Sequence, residues 1–171
     1  MLRWLLVIAC LAAPLSGAAQ NVVQPVLVLD LQMLVRDSQR GQKLIADKEA
    51  VNLAFQRGER ERVIALEAEE RDLAERRASM PEDEFAVLAN AFDEKVVASR
   101  QAAAQRNQQL QQQISALDAE FQAEFGPIVV QIMRERGAGV VLQKQVVFVN
   151  GVSADITADV ISRMDKAAGL D

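Results

Sequence analysis

Few of the side chains that usually do protein chemistry are present in this sequence. It contains no histidine, so the usual general base, metal ligand and pH switch are missing together. Its single cysteine is Cys10. The carboxylate pairs Glu69/Glu70 and Asp83/Glu84 have the groups for acid–base work. They lie in stretches of mixed charge that read as solvated helix, and the sequence marks no pocket around them. Gly137-Ala138-Gly139 lacks the lysine and the spacing of a phosphate-binding loop. The expectation is no catalytic residue, no cofactor and no metal site, hence a protein that holds other proteins rather than an enzyme. The formal charge of -5 provides no bulk attraction to nucleic acid or to anionic membrane.

The elements that carry these residues start after a removable leader. Met1–Arg3 is a short basic start, Trp4–Ala13 an apolar run ended by Pro14, and Leu15–Ala19 a set of small residues. That is the three-part layout of a secretory signal peptide over residues 1–19. The apolar run falls short of the roughly 20 residues that span a bilayer. Val7-Ile8-Ala9-Cys10 has the outline of a lipoprotein cleavage box, but the apolar run before it would be very short. Without the leader and its Arg3 the chain is one unit more acidic and has no cysteine.

Half of the residues are hydrophobic but only 4% aromatic, without tyrosine. Alanine, glutamine, glutamate, arginine and leucine dominate the middle, the composition of long helices with a seam rather than of a thick core. From Leu34 to Ala78 there is no proline, and Leu44, Val51, Phe55, Val63, Leu66 and Leu73 recur at mainly helical spacing. Charges of both signs between them read as an exposed helix face. Ser79-Met80-Pro81-Glu82 breaks the run, with Ser79 and Glu82 placed for a capping box. A second, longer pattern follows: Phe85, Leu88, Phe92, Val96, Ser99, Ala103, Arg106, Leu110, Ile114, Leu117, Phe121, Phe125, Ile128 and Ile132. So short a link between long helices predicts an antiparallel hairpin over residues 35–125, its tip near 79–84. Its length would be roughly 60 Å. The seam reads as firm at tip and root and polar between Ala98 and Gln113. Pro127 should kink the second helix or end it.

Residues 20–34 and 126–171 should form a small β body with a terminal helix. Val26, Leu27, Val28 and Leu29 read as one strand. Val140, Val141 and Leu142, then Val146, Val147, Phe148 and Val149, read as a hairpin around Gln143–Gln145. Asp155 or Thr157 can cap a last helix carrying Ile156, Val160, Ile161 and Met164. Three short strands leave edges unpaired, so oligomerisation through these strands is expected. The fold class is α+β, mostly α: a long antiparallel helical hairpin inserted in a small β body.

These features, in this order, resemble the Skp (OmpH) family of periplasmic chaperones. The resemblance rests on Val26–Val35, the tip Ser79–Phe85, Phe125-Gly126-Pro127-Ile128, and above all Val140–Val149 followed by Asp155-Ile156-Thr157. It implies a homotrimer whose strands build an intersubunit β-barrel, with three coiled-coil arms around a cavity. It also implies an ATP-independent holdase in the periplasm of a Gram-negative bacterium, with unfolded outer-membrane β-barrel proteins as partners. Any membrane-surface contact would be transient and not integral. Met80, Phe85, Leu88 and Phe92 near the tip are the candidate client contacts; the competing reading is that they zip the tip together. The best-known members are basic whereas this chain is acidic, so no lipopolysaccharide site is carried onto Arg57, Arg60, Arg62, Arg71, Arg76 or Arg77. A second functional reading is an envelope scaffold that binds one folded partner through the hairpin.

Overall fold

A computed structural model of the chain describes residues 25–149 and 151–169. The expected leader lies outside the described residues. The chain runs through strand β1 (Val26–Leu29), helix α1 (Leu31–Asp37) and the long helix α2 (Gln39–Arg76). A 3-10 turn leads into the longer α3 (Glu82–Glu135), then β2 (Val140–Gln143) and finally α4 (Thr157–Ala167). Helices α2 and α3 pack as the expected antiparallel hairpin, with α2 alone, at 38 residues, about 57 Å long.

The tip differs in detail from the sequence expectation. Ser79 lies in the 3-10 turn Arg77–Ser79, and its hydroxyl donates to the Arg76 carbonyl instead of capping α3. Pro81 takes the N-cap position without a side-chain bond, and Glu82, Asp83 and Glu84 fill the first turn. Three carboxylates there complement the helix dipole, which offsets the missing cap.

Two breaks also fall elsewhere than expected. The helix passes through Pro127 and continues to Glu135. Proline removes one helical hydrogen bond, but Phe121, Ile132 and their neighbours anchor both flanks in the core, so α3 neither ends nor restarts there. It stops instead at Gly137, whose φ of 62° allows Ala138 to donate to Met133 and Gly137 to Arg134. That is a Schellman cap. The first helix, by contrast, is interrupted at Ser38, in extended conformation. The buried Ser38 hydroxyl donates to the Leu34 carbonyl and accepts from the Gly41 amide. It thereby ends α1 and starts α2 with one side chain.

The body is built from both chain ends. β1 and β2 pair in parallel, Val26 opposite Val140 and Leu29 opposite Gln143. On the opposite edge of β1, Asp155 forms a bridge to Val28, and the Ile156 amide donates to the Val28 carbonyl. Leu27, Leu29, Leu34, Ile132, Ile156, Val160 and Met164 form the core between this sheet, α4 and the root of the arm. The expected β-hairpin does not form in the single chain. After β2, Lys144–Val146 is a 3-10 turn and Val147–Val149 has no strand partner among the described residues. Phe148 is fully exposed, and Val146, Val149 and Val152 are nearly so. A strand needs a neighbour for its amides and carbonyls, and the described residues of one copy supply none here.

The Asp155-Ile156-Thr157 signature ties the ends together. Ile156 fills the core. The Thr157 hydroxyl accepts from the Asp30 amide at 2.9 Å and donates to the Asp155 carboxylate at 2.6 Å. Asp155 also accepts from the Thr157 amide, so it caps α4 from the residue before the N-cap position, Ile156. Lys144 closes the knot, 3.1 Å from Asp155 and 3.7 Å from Asp30. Thr157→Val keeps the shape but removes both hydroxyl bonds at a buried position. It should lower stability by about 1–3 kcal/mol, read as a lower urea midpoint with an unchanged slope.

Candidate functional site

The surface that could work on another molecule is the arm. Every α3 position of the sequence-derived seam from Phe85 to Ile132 is half-buried or buried, as the spacing predicts. Full burial is confined to the root, at Leu44, Phe121 and Ile132. Beyond Leu44 on α2 and Phe121 on α3, the seam side chains remain partly open to solvent. On α2 one position is corrected: Val63 is 52% exposed, and Arg62 stands in the seam instead. The pattern of α2 is shifted there because Glu59 and Arg62, not apolar groups, meet the polar stretch of α3.

Cross-helix ion pairs at four points along the arm set the register. Arg40 meets Glu124 and Glu120, Lys48 meets Asp118, Glu59 meets Arg106 and Glu69 meets Lys95. Their sequence separations fall through 84, 70, 47 and 26 residues toward the tip, as an unslipped hairpin requires. The sign pattern reverses along the arm. At the root the base is on α2 and the acid on α3; distally the acid is on α2 and the base on α3. Such a reversal opposes a slide of one helix along the other, because shifted pairs would lose their partners. At the body end, Arg163 binds Glu135 through two bonds of 2.9 and 2.7 Å and also Asp159, pinning α4 to the last turn of α3.

The predicted tip residues are brought together only in part. Met80, Phe85, Leu88 and Phe92 are all half-buried. The Arg77 guanidinium lies 4.9 Å over the Phe85 ring, a cation–π contact that covers one face. Phe92 sits farther down and lines the cleft in the middle of the arm. The seam at the tip is half-buried like that of the middle, because a two-helix seam covers each side chain from one side only. Among the described residues no acidic, cysteine or histidine cluster could hold a metal ion, and no helix is long and apolar enough to cross a membrane.

Fold, signature and arm can be set beside known proteins. The sequence profile of the outer membrane protein (OmpH-like) family matches residues 25–164. The chain belongs to the OmpH-like family. The match includes every element described above except the last three residues of α4. A comparison with curated proteins yields no match. Among solved structures, this OmpH-like chain is similar to one from Caulobacter crescentus CB15, described as a candidate outer membrane chaperone (OmpH-like). The two share 16% identity with a TM-score of 0.74, over 91% of this chain and 92% of that one. At that identity the likeness concerns the fold.

In this OmpH-like arm and body, the pKa values of Glu59, Glu124, Glu135 and Asp155 are all lowered. Hydrogen bonds from Arg106 and Arg62 hold Glu59 down to about 2. Arg40 lowers Glu124 and Arg163 lowers Glu135. Burial opposes ionisation of Asp155, but the bonds from Thr157 and Lys144 outweigh it. Groups depressed in the folded state contribute stability above their unfolded values and lose it as pH falls through the folded values. With no histidine to titrate, the thermal midpoint should be flat from about pH 6 to 8. It should fall below the ordinary carboxylate range and continue falling toward about pH 2, where Glu59 protonates. Circular dichroism melts across that range check it; a transition centred near neutrality would contradict it.

Proposed function

We propose that this OmpH-like protein is an ATP-independent holdase in the periplasm of a Gram-negative bacterium. It binds unfolded outer-membrane β-barrel proteins and keeps them from aggregating before insertion, and it works as a homotrimer. The carrying observation is the arm itself: apolar side chains spaced along its length, half-open to solvent throughout the distal part. Such a surface can meet many apolar sequences shallowly, without a pocket that selects one. Weak contacts spread over an arm release without nucleotide.

The trimer reading is supported by the exposed Val146–Val149 segment and by the outer edge of β2, unpaired among the described residues, where Val140 and Leu142 are partly exposed. A segment so apolar, next to an open sheet edge, is covered most simply by strands of other copies. In this reading β1, β2 and Val147–Val149 are the oligomerisation strands, residues 20–34 and 126–171 the body, and residues 35–125 the client-binding arm. Met80, Phe85, Leu88 and Phe92 contribute to the grip near the tip.

The test uses the mature chain. Native mass should correspond to three copies, and an unfolded outer-membrane β-barrel protein diluted from denaturant should stay in solution without ATP. A monomer that leaves the client to scatter light would end this reading. Capture of a single folded partner at fixed stoichiometry, with no effect on unfolded clients, would favour an envelope scaffold instead.

A further inference from the structure

Midway along the arm the seam changes character. Arg106, at a seam position of α3, donates to Glu59 at 2.7 and 3.3 Å, and Arg62 of the same helix as Glu59 donates to it at 2.5 Å. Arg106 also reaches the Ser99 carbonyl at 3.5 Å. On the tip side of this cluster the seam side chains are only half-buried. Leu66, Phe92, Val96, Ser99 and Ala103 line the floor of a cleft of about 530 Å³ that Glu67, Glu70, Asp93 and Arg100 also border, with Glu59, Arg62 and Arg106 at its root end. Ser99 and Ala103 are too small to fill the space that a leucine pair would occupy.

We propose that Glu59, Arg62 and Arg106 form an ionic latch that holds the two distal helices together, and that its release lets them part and exposes the seam side chains Leu66, Phe92 and Val96. Three observations carry this. First, no seam residue between the latch and the tip is fully buried, so apolar contact holds the distal helices less firmly than the root. Second, Lys95–Glu69 is the only other cross-helix ion pair among the described distal residues. Third, the Arg62 Nε is buried and makes no hydrogen bond; water would satisfy it once the helices separate. The closed state thus carries a penalty that the open state lacks, and the ion pairs oppose it. Ionic strength becomes the control, since salt screens paired charges that remain accessible to solvent. The latch gates the surface that the holdase reading assigns to clients and rests on that reading only for its use; opening is measured without any client.

The experiment is hydrogen exchange on the full mature chain, with Glu59→Gln as the variant and an apolar fluorescent dye as second readout. A separated helix loses packing and frays, so opening appears as faster amide exchange. Residues 60–105 should exchange about tenfold faster in Glu59→Gln, and residues 115–135 should stay within about twofold. Dye fluorescence should rise as Leu66, Phe92 and Val96 become accessible. Raising salt from about 0.1 M to about 1 M should open the unmodified arm in the same region, and that response should shrink in Glu59→Gln. Unchanged distal exchange in the variant would overturn the latch. So would equal acceleration of root and body, which reports global destabilisation, or a salt response that Glu59→Gln leaves intact.

Discussion

Gly41→Ala should unfasten the arm from its root. A Cβ at position 41 would lie 2.1 Å from the Val35 carbonyl oxygen and 2.6 Å from the Val35 Cα. Both are backbone atoms of α1, so no rotamer change relieves the clash. The chain turns sharply here, from α1 through extended Ser38 into α2, and the Gly41 amide donates to the Ser38 hydroxyl at 3.0 Å. Making room for a methyl group means opening that turn, breaking the Ser38 bonds and moving Leu34 out of the core, where it is fully buried. The loss should be about 3 kcal/mol, at the upper end for overpacking. For a body with so small a core this is a large share of total stability. Thermal melts of Gly41→Ala should show a midpoint well below that of the unmodified protein. An unchanged midpoint would mean that α1 and α2 can separate at Ser38 without cost, and that the turn does not fix the arm.

The second large effect concerns Phe148→Asp. In the single chain Phe148 is 102% exposed relative to an extended reference, so no intrachain contact is lost by changing it. If Val147–Val149 pairs between copies, a charge at the centre of that segment would be desolvated without a partner. The expected result is a drop in native mass to one copy at micromolar concentration, with little change in helix content at low temperature. Holding activity toward an unfolded β-barrel client should fall at least tenfold, since one arm cannot enclose what three can. Val152→Asp, at an exposed apolar position outside the proposed strand, is the comparison and should be milder. A Phe148→Asp protein that keeps the mass of three copies would remove this segment from the interface.

These two positions also mark where reading along the chain succeeds and where it stops. The sequence by itself determined the hairpin. Helical periodicity is local, so Phe85 through Ile132 could be placed on one face from spacing alone, and each of these positions is half-buried or buried. The break at Ser79–Glu82 likewise marked the tip, because capping and dipole effects reach only a few residues, although the cap falls at Pro81 and not at Ser79. The Asp155-Ile156-Thr157 signature was legible as a helix start. Its tie to Asp30, 127 residues away from Thr157, was not.

What only the tertiary structure decided is non-local. Ser38 looked like one more polar residue in a helical run, yet burial against the core and the close approach of Gly41 to Val35 make it a break. Arg62 rather than Val63 faces α3, because Arg106 and Glu59 meet it there and the ionic contacts outweigh a modest gain in apolar burial. The polarity of the ion-pair ladder depends on which residues lie opposite, and that is fixed by the register of two helices, not by either one. The segment Val146–Val149 has the residues of a strand without strand structure in one chain, because β structure, unlike helix, draws its hydrogen bonds from outside the segment.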